Sequence, residues 1–179
     1  MRHTVILLLS SLLAMPAVAE IAAAEAEVTF KEPEKYTDIR PAADTRARFQ
    51  ERVLKQFEGF FKDMATQLPE GYKWQVTVTD IDLAGDVDPF IGRTGQPIRV
   101  VKDIYSPAVR FSYTLHDATG TEVAAGDERL RDMSFMQRTS TLSRNTEFEY
   151  EKRMLNEWFS KNLLPKVKVQ ADPEDHSHH

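Results

Sequence analysis

Cysteine is absent from the 179 residues. That gap excludes a disulfide, a thiolate metal site, a cysteine nucleophile and the acylated cysteine of a bacterial lipoprotein. Histidine is nearly as scarce, with only His3 and His116 ahead of the last four residues, so a zinc site or a serine–histidine triad lacks its parts in the body of the chain. No G-x-G-x-x-G, phosphate loop or G-x-S-x-G occurs, which leaves enzyme the weaker class and implies no cofactor. Beyond the first segment no stretch is apolar enough to span a bilayer.

That first segment has a basic start at Arg2, an apolar core from Val5 to Met15 and small residues at Ala17 and Ala19 before Glu20. This is the layout of a signal peptide over residues 1–19, cut after Ala19, and it falls short of the roughly 20 apolar residues a transmembrane helix needs. Cleavage leaves 160 residues, enough for one domain, and takes 23 basic residues to 22 against 28 acidic, a formal charge of −6. An acidic balance argues against nucleic acid and anionic lipid as partners. The expected location is the periplasm.

Residues 20–27 read as a flexible leader, 28–165 as a single domain, and 166–179 as a disordered acidic tail whose histidines could hold a transition metal only loosely. Phe49, Val53, Phe57, Phe61, Met64 and Leu68 recur at steps of three or four and predict an amphipathic helix over Asp44–Gln67, opened by Asp44 or Thr45. Four phenylalanines on one helix read as a sheet-packing face before they read as a groove, and Gly59 within it would mark close approach to a strand. Trp74, Val76 and Val78 alternate with Lys73, Gln75, Thr77 and Thr79 as a buried strand. Ile98–Ile104 is a second strand, and Val109 to Leu115 with Glu122–Met133 form a hairpin across the turn Asp117–Gly120. Ser134–Ser143 reads as a polar mobile loop. A second helix starts near Thr146, with Thr146 and Glu149 as a capping box, carries Met154, Leu155, Trp158 and Phe159, and stops at Pro165. The fold class is α+β: a two-layer sandwich with a mainly antiparallel sheet of four to five strands and both amphipathic helices on one face. The other face, bearing Gln75, Thr77, Thr79, Ser112 and Thr114, is left polar.

The strand from Trp74 runs into Asp80, Asp82, Asp86 and Asp88 around Gly85. As a calcium loop starting at Asp80 it half fits: Asp82, Gly85, Asp86 and Asp88 take positions 3, 6, 7 and 9, but Ala84 and Ile91 occupy positions 5 and 12, where ligands belong. Three readings follow. An acidic loop at the surface, with Asp80, Asp82, Asp86, Asp88 and Arg93, captures an envelope protein or cell-wall component, and this leads. The same aspartates hold a cation or serve a metal-dependent hydrolase. Or the loop is structural, with Asp80 and Asp82 bonded to backbone or to Arg129 and Arg131.

Four segments carry a resemblance: Val28-Thr29-Phe30 with Pro33, Tyr36 and Thr37-Asp38-Ile39-Arg40; Val78 to Asp86; Arg131-Asp132-Met133; and Tyr150-Glu151-Lys152-Arg153-Met154-Leu155 with Trp158-Phe159. From about Val28 to Leu164 the chain resembles the bacterial domain of unknown function numbered 3016. The resemblance implies an exported proteobacterial protein with no assigned activity, and it carries over no functional residues.

Overall fold

The computed structural model describes residues 22–89, 97–137 and 147–171. Strand β1 (Glu25–Phe30) leads through a 3-10 turn at Pro33–Lys35 into helix α1 (Arg46–Ala65) and back to β2 (Lys73–Asp82). Short strands β3 (Asp86–Asp88) and β4 (Ile98–Val100) precede the hairpin of β5 (Ala108–His116) and β6 (Glu122–Arg131). The C-terminal rod is helix α2 (Glu149–Trp158), a π-helical turn (Phe159–Leu163) and helix α3 (Leu164–Ala171). The main sheet runs β1-β2-β5-β6, with β1 parallel to β2 and the other two pairs antiparallel, while β3 and β4 form a separate two-stranded sheet. The fold is the expected α+β with a mainly antiparallel sheet. Among the described residues no helix is long and apolar enough to cross a membrane.

One face of the sheet carries the core. Trp74 sits between Phe61, which meets it edge-on at 5.5 Å, and Trp158, which stacks on it at 6.3 Å. Phe111 receives edge-on contacts from both Phe61 and Trp158 at 5.5 and 4.9 Å. Such pairs contribute about 0.5–1.5 kcal/mol each beyond burial itself, and they fix α1 and α2 on the same side. Phe57 and Trp158 are buried, as the periodicity requires. The opposite face keeps Gln75, Thr77, Thr79, Ser112 and Thr114 at least partly exposed.

Register in β2 is reset by a bulge between Val78 and Asp80, opposite Phe111 and Arg110. Strict alternation would turn Asp80 inward and Ile81 outward. The extra residue reverses this, so Ile81 is fully buried and Asp80 and Asp82 stay off the core face.

Several expectations are corrected. The flexible leader ends earlier, because Glu25, Ala26 and Glu27 pair with Lys73, Trp74 and Gln75; Ala26, Val28 and Phe30 alternate with exposed Glu25, Glu27 and Thr29 along one strand. The strand at Ile98 stops at Val100. Gly59 has nothing within 4 Å of an added Cβ, so it marks no close approach. Phe135, placed by sequence in a mobile loop, is fully buried and packs edge-on against Tyr150 at 4.9 Å. Pro165 does not stop the second helix: the π turn ahead of it bonds Leu164 N–H to Phe159 O, leaving proline in the first turn of α3, where its missing N–H is tolerated. Residues 166–171 are therefore helical, with Val167 buried, and are no tail. Helix α2 opens at Glu149 behind Phe148, which holds a left-handed φ of 59° and makes no side-chain cap bond. Thr146, residues 1–19 and the tail histidines lie outside the described residues.

Candidate functional site

The aspartates that the sequence places in one exposed loop stand on two strands. Asp80 and Asp82 close β2, Asp86 and Asp88 form the ends of β3, and only Leu83, Ala84 and Gly85 make the bend between them. The bend is buried at Leu83 and Ala84, and four distant segments satisfy its backbone. Leu83 N–H donates to Asp38 O (3.2 Å) and Gly85 N–H to Tyr105 O (3.0 Å). Ala84 N–H donates to Glu151 Oε1 (2.7 Å), and Arg99 donates to the Gly85 carbonyl (3.0 Å).

Arg99 is the central cation. Its fork meets both carboxylate oxygens of Asp38, at 2.9 and 3.3 Å, and it also donates to Arg40 O (2.9 Å). Asp38 is almost fully buried, with its side chain 8% exposed and that of Arg99 19%; a bidentate pair so withdrawn from water holds only while both partners remain. The outer aspartates are engaged as well. Asp80 accepts from Thr37 N–H (2.7 Å) and Thr37 Oγ1 (2.8 Å), Asp82 from Arg131 (3.1 Å), and Asp86 from Arg40 (3.0 Å). Burial pushes the Asp82 carboxyl above its usual range, and Arg131 pulls against that shift. Beside these groups a cleft of about 230 Å³ opens, lined by Thr37, Arg40, Asp82, Asp86, Tyr105 and Arg131.

This arrangement matches the structural reading, with Arg131 in place and the Thr37 backbone and hydroxyl as the further partners of Asp80. Arg129 stands opposite Arg110 instead. Among the described residues no three acidic or histidine side chains gather to hold a metal ion. Arg93 lies outside the described residues. The sequence does not single out Asp38, Arg99 or Glu151. For Glu151 a signal existed: it stands three, four and seven residues before Met154, Leu155 and Trp158, which puts a carboxylate on the buried stripe of α2.

Glu151 is 1% exposed. Its environment is a pocket of about 380 Å³, mostly apolar, lined by Ala42, Phe49, Leu83, Val101, Phe148 and Tyr150 together with Ala84, Arg99 and Glu147, Glu149 and Glu151. Burial raises the Glu151 carboxyl above its ordinary 4.5, against which the Ala84 amide and the charge of Arg99 act. Phe148 shapes the mouth: its left-handed backbone turns the ring onto Phe49 and Phe57, at 6.3 and 6.2 Å, and its carbonyl accepts from Lys152 N–H. A bulky residue in that conformation carries strain that packing must offset.

No match was found among curated proteins or among solved structures. The model of a family described as a protein of unknown function (DUF3016) matches residues 24–161, and the chain belongs to that family.

Proposed function

We propose that the protein is an exported, periplasmic binding module without catalytic turnover, and that its ligand enters the pocket between α1, the Leu83–Gly85 bend and the start of α2. One observation carries this reading: a carboxyl group 1% exposed lies in the wall of a mostly apolar pocket of about 380 Å³ that Arg99, Glu147 and Glu149 also line. Concave, apolar sites with few polar groups are the usual form of small-molecule sites, and a buried group with a displaced pKa inside one strengthens the assignment. The acidic strands beside it serve as scaffold, since Asp38, Asp80, Asp82 and Asp86 are tied to Arg99, Thr37, Arg131 and Arg40. Restriction to binding rests on the lack of a nucleophile-and-base motif in the sequence.

An NMR titration with n-hexanol as an apolar probe tests the pocket. Saturating amide shifts at Ala84, Val101, Phe148 and Tyr150 are expected, and Ala42→Trp, which fills the space, should abolish them. Shifts scattered over the surface, or an unchanged response in Ala42→Trp, would refute the site.

A further inference from the structure

On the face of the sheet away from the helices, two arginines confront each other. Arg110 of β5 and Arg129 of β6 are direct register partners, and both are exposed. Residues so opposed hold their Cβ atoms about 4.5–5.5 Å apart, and like charges in that relation are unfavourable. The neighbouring row shows how the same strands settle a charge. There Asp82, Ala108 and Arg131 lie side by side across β2, β5 and β6, and the small alanine lets Arg131 reach over to Asp82 at 3.1 Å. In the row of Asp80, Arg110 and Arg129 one cation is left over. Asp80 already accepts from Thr37 N–H and Oγ1 at 2.7 and 2.8 Å, and it comes no nearer to Arg110 Nε than 4.0 Å.

Among the described residues Arg129 makes no hydrogen bond or ion pair. The undescribed segments inside the domain, 90–96 and 138–146, contain no aspartate or glutamate, so neither supplies it with a carboxylate. Asp127, two positions back on the same face, stands opposite Ser112; its charge lowers the affinity for an anion without closing the site. We infer that Arg110 and Arg129 together bind a phosphate-type oxyanion, which bridges the two guanidinium forks and turns their repulsion into a shared attraction. A carboxylate has two oxygens and is satisfied by one fork, whereas a phosphate group has oxygens for both. This site is independent of the apolar pocket, which lies on the helix side of the sheet.

The test follows the arginine side chains by NMR while the full chain is titrated with inorganic phosphate and, in parallel, with acetate, sodium chloride holding the ionic strength constant. The Nε–H signals of Arg110 and Arg129 are expected to shift together and to saturate at about millimolar phosphate, the affinity that two charge-assisted contacts give, with acetate about tenfold weaker. Arg129→Gln should weaken phosphate binding about tenfold, the loss of one charge-assisted contact. In phosphate-free buffer the same variant should melt no lower than the parent, because the opposed charge is gone; this also reports that it is folded. Vesicles of phosphatidylglycerol in phosphatidylcholine then distinguish the source, and either result supports the site: co-sedimentation lost in Arg129→Gln places the phosphate in a lipid head group, and protein left in the supernatant places it on a soluble molecule. Equal responses to acetate and phosphate, shifts at exposed Arg48 as large as those of the pair, or a phosphate response unchanged in Arg129→Gln would overturn the assignment.

Discussion

Arg99→Ala is expected to lower stability by about 3–5 kcal/mol, the range for removing one member of a buried ion pair. The loss comes less from the missing attraction than from what remains. Among the described residues Asp38, with its side chain 8% exposed, would keep only Arg40 as a counter-ion, through a guanidinium that is 58% exposed and shared with Asp86. The carbonyls of Arg40 and Gly85 would lose their donor at the same time. Arg99→Lys should recover little, because an ammonium group cannot reproduce the two-pronged contact. The double variant Asp38→Asn with Arg99→Met should be markedly more stable than Arg99→Ala alone, since no unpaired charge stays behind. Urea unfolding would report this as a lower midpoint at unchanged slope. A loss below about 1 kcal/mol, the scale of exposed ion pairs, would mean that this cluster is solvated.

Gly85→Ala is expected to cost roughly 2–5 kcal/mol. Gly85 has φ +82°, and a Cβ there would stand 2.6 Å from Val100 O and 3.0 Å from Val100 C. The left-handed conformation alone disfavours alanine by about 1–2 kcal/mol. The steric conflict adds about 1–3 more, because backbone atoms of β4 cannot swing aside as a side chain would. Gly120 supplies the control, having φ +84° with nothing within 4 Å of an added Cβ. Gly120→Ala should therefore show the conformational part only, and the difference between the two melting shifts isolates the contact between bend and β4. Equal shifts would mean that the β3–β4 sheet stands clear of the bend.

The sequence discloses this fold where side chains keep one period for long enough. The step of three to four from Phe49 to Leu68 and the alternation through Val109 and Leu115 each survive because one face is packed and the other is wet. The parallel strand β1 was legible only in its second half, Val28 to Phe30: Glu25, Ala26 and Glu27 keep the same alternation, but the alanine-rich, acidic composition of residues 20–27 reads as a leader. The acidic stretch misled for a related reason. Composition reads four aspartates as a solvated loop, whereas the bulge after Val78 changes which way Asp80 points, and arginines as far away in sequence as Arg99 and Arg131 decide what each carboxylate meets. Long-range partners leave no local trace. Glu151 shows the reverse case, where a single charge in phase with the apolar stripe of α2 was readable as a buried group.

The central claim is that Leu83, Ala84 and Gly85 form a buried joint and not a free acidic loop, and amide hydrogen exchange tests it most directly. Each amide has a defined acceptor: Asp38 O, Glu151 Oε1 and Tyr105 O. If the joint opens only with the domain, these three amides exchange as slowly as those of Val76 and Val78 in the middle of β2. Exchange at the rate of an unstructured peptide while β2 stays protected would contradict the account.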